Sequence, residues 1–539
     1  MESPHLIWLL FVPLIASVLS LIVHWFGDFT RPILEFLHLA SVTATLVLTF
    51  IVAGQVLDAG EALAFSDWLR VDSLGALFVV IVGVMGFLSG IYSIGFTRHE
   101  LAVGYTNHDI AIGGLDMGRL RVFYSLFHFF LFTMLLAVTS NNIIIMWVAI
   151  EATTLSSAFL VGLYGTRPAL EAAWKYVVIC TVGVAFGLYG TILVYSDAVN
   201  LIQETSKASL WTEIVKNAST LDPTLLKLAF VFILIGFGTK AGIVPMHSWL
   251  PDTYSEAPSP VSALLSGVLV NCTLFVIIRF SIIVNLALGT SFAQILFLVF
   301  GVISLAAAVF FMMGQKDINR LLAYSSPENI GLILIALGLG GPIGILAGLL
   351  QLVNHSIVKT MMFFLSGNIL MKYRSRSLDV VKGLMQAAPL TSFFLLAGVF
   401  ALVGAPPFNI FFSKFLIVSA GIATGYWWLM IVCMLLLMLA FTALFRMGSS
   451  VTLGQKPVEI QNGESGFTTL APIAILMVLA LVLGLFMPAQ LTDLLNGAVE
   501  VVNAGVTATP LAGPNGSASV AGPLGGLSVE SFFSFFSGH

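Results

Sequence analysis

Lys240 lies in an apolar stretch, Leu226 to Trp249, five residues before Pro245. Pro406 and Pro407 precede Lys414 in a second such stretch, and Lys359 follows His355 by one helical turn in a third. A charged side chain at bilayer depth costs about 2.5–3.5 kcal/mol on insertion scales. A proline there also removes a helical hydrogen bond. Glu151 is read as the one carboxylate well inside an apolar stretch. Burial disfavours the charged forms of lysine and glutamate, and an opposite charge nearby resists that shift. A buried Lys–Glu set therefore holds or releases a proton according to where its partners sit. The competing reading is a structural ion pair.

Pro245 cannot donate to the carbonyl of Ala241, and a freed carbonyl beside Lys240 favours a hydrated cavity. Gln351, His355 and Lys359 are spaced i, i+4, i+8 and share one helix face, with His355 a stepping stone or a satisfied structural histidine. His128 and His247 read as structural. Lys175 follows Glu171 by four residues, so it either modulates Glu151 or Lys240 or pairs with Glu171. Arg279, near a helix end, is expected to snorkel or pair.

The elements that must position these groups are membrane helices. Of 539 residues, 58% are hydrophobic and 9% charged, against about 25% charged in a soluble domain. Runs of spanning length predict an all-α polytopic membrane protein of about 14 transmembrane helices. The first run reads as a helix and not as a cleaved signal peptide. The seventh and twelfth runs, holding Pro245 and Pro406-Pro407, are expected to be broken helices. They take the same place in two five-helix units, and an odd helix count per unit makes these inverted repeats. The expected division is 1–120 for the first three helices and a loop, 121–285 for the first repeat, 286–448 for the second, 449–490 for a loop and the last helix, and 491–539 for a flexible tail. One set of alternate loops carries most of the loop Arg and Lys, the other only Arg70, Lys207, Lys216 and Lys227, which puts the first set in the cytoplasm and both termini outside. The isolated cysteines Cys180, Cys272 and Cys433 offer no iron–sulfur, zinc or haem site, so no cofactor or metal is expected. Neither basic patch nor aromatic platform for nucleic acid is present.

Three stretches carry a family resemblance: GTKAGIVPMHSWLPD from Gly238 to Asp252, SEAPSPVSALL from Ser255 to Leu265, and RLLAYSS from Arg320 to Ser326. With the His355–Lys359 helix they resemble the antiporter-like subunits of respiratory complex I, multi-subunit cation/proton antiporters and membrane-bound hydrogenases. Thr139 to Asn142 (TSNN), Glu151 to Leu160 (EATTLSSAFL), Glu171 to Val178 (EAAWKYVV) and Leu221 to Thr224 (LDPT) are most similar to the F subunit of hydrogenase-4 type formate hydrogenlyase. The resemblance implies that Glu151 and Lys240 form the coupled pair of a first half-channel, with Lys359 the lysine of the second and Lys414 the terminal one. Many relatives place a Lys or His in the eighth helix. The counterpart here is Asn271, which does not titrate, and Ser262 and Ser266 on a shared face are the expected polar bridge. The resemblance further implies proton translocation in a bacterial inner membrane, with sodium the alternative ion. It implies other membrane subunits and peripheral NiFe hydrogenase and iron–sulfur subunits as partners, the redox chemistry lying in those partners. The alternatives are a complex I subunit, a cation/proton antiporter and a purely structural subunit.

Overall fold

The computed structural model describes residues 2–23, 29–103, 115–202 and 204–507. Helices α1 (Pro4–Ile22) and α2 (Thr30–Ala59) lead through a hairpin, β1 (Ala62–Ala64) and β2 (Leu69–Val71), into α3 (Ser73–Val103). Next come α4 (Met117–Thr139), α5 (Ile143–Val161), α6 (Arg167–Leu201), the short α7 (Trp211–Lys216) and α8 (Pro223–Ala241). Short α9 (Leu250–Glu256) and α10 (Ser259–Leu264) follow, and a π-helical turn, Leu265–Leu269, joins α10 to α11 (Val270–Leu288). Then α12 (Ser291–Met313), α13 (Ile318–Leu339) and α14 (Gly341–Tyr373) precede a short α15 (Leu384–Ala387). The described residues close with α16 (Pro389–Val403), α17 (Asn409–Ala423), α18 (Trp427–Thr452), α19 (Phe467–Leu485) and α20 (Ala489–Thr507).

Among the described residues 13 helical segments are long and apolar enough to cross a membrane. The expected twelfth crossing is the pair α16–α17, each 15 residues long, interrupted at Pro406-Pro407. The α10–α11 segment is buried on every side and α13 nearly so. These two form the axis around which the other helices stand, and they hold or face most of the candidate residues.

Both helix breaks are built the same way. Helix α8 ends in a left-handed Gly242 (φ +79°), whose N–H returns to the Thr239 carbonyl while the Ile243 N–H returns to Gly238. Helix α16 ends in a left-handed Gly404 (φ +85°), with Gly404 N–H on Ala401 and Ala405 N–H on Phe400. This double bond with glycine in the left-handed region is the Schellman cap. Pro245 and Pro407 each lie three residues beyond the glycine and prevent the helix from resuming. The break attributed to Pro245 alone thus begins earlier, at Gly242. Both Val244-Pro245 and Pro406-Pro407 are cis.

Packing of α6 on α8 fixes the height of Lys240. A Cβ on Gly236 would lie 2.2 Å from the backbone nitrogen of Gly187, so the two backbones are in contact there. Small residues at the crossing allow this approach.

The expected flexible tail, 491–539, needs correction over its first part. Residues 489–507 form α20, which packs against α3, α11 and α14. Its buried face, Leu494, Leu495, Ala498, Val499 and Val502, has helical spacing among polar neighbours. The aromatic end, Phe532 to Phe536, lies outside the described residues.

Arg279 pairs, as one of the expected alternatives had it. Its guanidinium makes two 2.7 Å bonds to Asp72, just before α3, and lies 4.4 Å over the Trp211 ring. Burial by itself raises the Asp72 pKa, but Arg279 and the Gly75 N–H overcome it and hold the carboxyl below its ordinary range. A folded-state pKa below the unfolded value adds stability that is present above the unfolded pKa and lost as pH falls through the folded one. Replacing Arg279 by Met strands a buried carboxylate and is expected to cost about 3–5 kcal/mol. Thermal unfolding in mild detergent reads this as a lowered midpoint at neutral pH, with the gap to the parent closing in acid. An unchanged midpoint at neutral pH would show that the pair carries no net weight.

Candidate functional site

A buried ammonium must find oxygen atoms, and each of the three axial lysines does. Lys240, in the last turn of α8, is fully buried. Its Nζ donates to Thr154 Oγ1 at 2.8 Å and to the Tyr176 hydroxyl, and lies 4.4 Å over the Tyr176 ring. Ser157 gives its own proton to the Thr153 carbonyl at 2.5 Å, so its oxygen accepts from Tyr176 OH at 2.7 Å. Trp249 fixes the break, its Nε1–H on the Thr239 carbonyl at 2.9 Å and its ring 4.8 Å from Tyr176.

Glu151 on α5 does not touch Lys240. Thr181 on α6 donates to it at 2.9 Å, and the Thr154 hydroxyl reaches it at a long 3.5 Å. The pair implied by the sequence is therefore bridged: ammonium to Thr154 oxygen, Thr154 hydroxyl to carboxylate. Thr154 and Tyr176 sit in the stretches EATTLSSAFL and EAAWKYVV, but nothing in their types marks them as bridges. Lys175 stands apart, with its ammonium 2.7 Å from Glu171 and 3.1 Å from Asp252, which also takes Arg320 at 2.6 Å. The structure brings it to a surface ion cluster and not to Glu151 or Lys240.

The stripe on α14 faces inward as its spacing requires. Lys359 donates to the Leu322 carbonyl and to Ser325 Oγ at 2.8 Å, both on α13. Pro327 inside α13 has no N–H for the Ala323 carbonyl, so the lysine enters where the helix is already short of a bond. His355 Nε2 donates to the Ser266 carbonyl at 3.2 Å, within the π turn, where backbone bonding is irregular. Gln351 donates to Asn329 at 2.6 Å and accepts from Ser413 at 2.5 Å.

Lys414, on α17, reaches back to the break in its own crossing. It bonds the Val403 carbonyl at 3.1 Å and the Leu402 carbonyl at 3.4 Å, the last of α16. These carry the partial negative charge of a helix C-terminus. Its third partner is Glu328 Oε1 at 3.2 Å. Glu328 is 1% exposed, so Glu151 is not the one carboxylate inside the apolar helices. It could have been found in sequence, directly after Pro327 in the apolar stretch from Leu321 to Leu339. Asn329 joins Glu328 at 2.9 Å to the Ser325 carbonyl at 2.8 Å, so the Lys359 and Lys414 sites meet on one turn of α13.

Between Lys240 and Lys359 the expected serine bridge is divided. Ser262 turns back to the Tyr254 carbonyl at 2.9 Å, whereas Ser266 pairs with Ser326 on α13 at 2.9 Å. Asn271 donates to Ser356 Oγ at 2.6 Å and to the Gly267 carbonyl at 3.1 Å. Among the described residues no cluster of His, Cys, Asp and Glu has the makings of a metal site. Among the described residues two of the three buried lysines thus take part in Lys–carboxylate units, one hydroxyl-bridged and one direct, with a neutral lining between.

Residues 140–442 match the family described as NADH:quinone oxidoreductase/Mrp antiporter, TM. The hydrogenase-4 component F homolog of Methylacidiphilum infernorum is 38% identical over 357 residues, 66% of this chain and 73% of that one. An NADH-quinone oxidoreductase subunit N from Desulforudis audaxviator is 26% identical over 511 residues, 90% of this chain and 96% of that one. In fold, a chain of the membrane-bound sulfane sulfur reductase, an archaeal respiratory membrane complex, superposes with a TM-score of 0.78 at 24% identity, over 94% of this chain and 98% of that one. The family match takes in more than half of the residues, Glu151, Lys240, Glu328, Lys359 and Lys414 among them, and the chain is therefore an antiporter-like membrane subunit of the NADH:quinone oxidoreductase/Mrp antiporter family.

Proposed function

We propose that this subunit translocates protons within a membrane-bound NiFe hydrogenase complex of the hydrogenase-4 type, in a bacterial inner membrane with both termini outside. The observation that carries proton translocation is the placement of three buried lysines, each bonded to protein oxygens, two of them linked to carboxylates. The 38% identity to a hydrogenase-4 component F homolog supports the choice of complex. Electron transfer then lies in peripheral iron–sulfur and hydrogenase partners. A complex I subunit is the second reading, favoured by the alignment over 96% of an NADH-quinone oxidoreductase subunit.

In this reading Glu151 takes up a proton and passes it through the Thr154 hydroxyl to Lys240. Rotation of one hydroxyl suffices, because Thr154 already stands between the two. Charge on Lys240 disfavours charge on Lys359 and so drives its proton toward Lys414. Glu328 holds that proton at Lys414 until the pair opens. His355 and the Ser266–Ser326 pair line the neutral interval.

Mild extraction followed by mass spectrometry of the co-purifying chains tests the complex. A NiFe hydrogenase large subunit with iron–sulfur proteins is expected, and NADH- or quinone-reactive subunits would shift the assignment to complex I. Substituting Lys240→Ala is expected to reduce redox-driven proton uptake in vesicles by on the order of 10²-fold, the scale of a lost proton-transfer group. Intact assembly with intact transport would remove Lys240 from the relay. Thr154→Val keeps volume and deletes the bridge, and should slow transport while Lys240 stays in place. Parental transport in that variant would mean that the proton reaches Lys240 by another route.

A further inference from the structure

A second buried set of titratable groups lies outside the segment that matches the family, in α2, α3 and α4. His38 on α2 and His128 on α4 are both fully buried, with Nδ1 of His38 3.0 Å from Nε2 of His128. The bonding around them settles where each proton sits. His38 Nε2 faces the Gly90 carbonyl at 3.1 Å and Ser93 Oγ at 3.0 Å. A carbonyl only accepts, and Ser93 already gives its own proton to that carbonyl at 2.7 Å. His38 therefore carries its proton on Nε2. When it is neutral its Nδ1 is bare, so His128 must donate from Nε2. The remaining nitrogen, His128 Nδ1, then accepts from the Ser41 hydroxyl at 3.3 Å. Every ring nitrogen is satisfied by one directed chain: Ser41 to His128 to His38 to Gly90 and Ser93.

A chain whose hydrogen bonds all point one way is suited to proton transfer, and a pair of imidazoles can bind one excess proton between them. The ionisable groups facing the pair are few. Tyr124 lies 4.4 Å from the His38 ring and is tilted 40° to it, with its hydroxyl 3.1 Å from Thr97. Glu35, one turn from His38 on α2, is paired with Arg31 at 3.0 Å and Arg98 at 2.6 Å, so the nearest charges form an ion cluster at the helix rim in which two guanidiniums share one carboxylate. Neighbouring α19 brings no ionisable side chain, and α1 brings His5 in its first turn, at the far end of the helix. On the inner side Thr45 and Thr49 continue the buried face of α2 beyond Ser41.

We propose that His38 and His128 form a proton-holding site separate from the lysine axis. The excess proton enters at His128 Nδ1 as the Ser41 hydroxyl turns to accept. His128 then passes its Nε2 proton to His38 Nδ1, which leaves His128 neutral and His38 as the cation. Proton number is conserved at each step, and a second proton is refused because two imidazoliums 3.0 Å apart repel.

The test is nitrogen-15 solid-state NMR of the intact complex, labelled at histidine, through a pH titration. Direct bonding between the rings is expected to give a coupling across His38 Nδ1 and His128 Nε2. On acidification the pair should take up one proton equivalent, with both rings shifting together. A pair that stays neutral throughout the range in which the complex remains assembled would overturn the proposal and leave a structural contact. His128→Gln should abolish the coupling and the shared shift of His38, and an unchanged His38 titration in that variant would also overturn it. The titration of the parent protein decides the matter even if that variant fails to assemble. Neither readout depends on which redox partner the complex contains.

Discussion

Burying an ammonium group in an apolar helix bundle is costly unless it is hydrogen-bonded, so the protein must supply oxygen atoms at the right depth. Much of the internal architecture is set by that demand. Helix α8 stops one residue beyond Lys240, and α16 stops where Lys414 reaches its end. Helix α13 gives up a backbone bond at Pro327 beside the carbonyl that Lys359 takes. Each lysine is matched to an irregularity in a helix, and each irregularity would be costly in lipid without a partner inside the bundle. The chain thus spends its backbone defects where its charges are.

The two broken crossings answer the same problem with opposite geometry. In α8 the lysine belongs to the helix that ends, and it points away to hydroxyls on α5 and α6. In the α16–α17 crossing the lysine lies beyond the break and points back to the freed carbonyls. The first arrangement leaves the carboxylate at a distance, bridged by Thr154. The second brings Glu328 into direct contact and ties it through Asn329 to the turn that also holds Lys359.

Much of this was legible in the sequence, because charge and proline in apolar runs are rare and each demands a reason. Lys240, Lys359, Lys414 and the inward stripe Gln351–His355–Lys359 follow from residue type and helical spacing alone. What was not legible depended on contacts across helices. Thr154, Tyr176 and Ser325 are ordinary residues in membrane helices until a lysine arrives beside them. Lys175 has the spacing of a helical pair, and only the position of Asp252 shows that it belongs to the surface. His38 and His128 stand 90 positions apart, and no periodicity joins them. Helix α20 escaped because its composition is that of a linker, while its apolar side is a narrow stripe.

That last helix limits how the molecule can move. Lying across α3, α11 and α14, α20 ties the N-terminal helices, the fully buried axis and the helix of Lys359 into one body. Alternating-access carriers work by rocking one repeat against the other. Such a swing here would shear α20 from at least one of its three neighbours and expose its leucines. Under the proposed function, a transport cycle that preserves this strap would be confined to side-chain rotation and changes in hydration, a switched wire within a rigid frame with single residues as its gates.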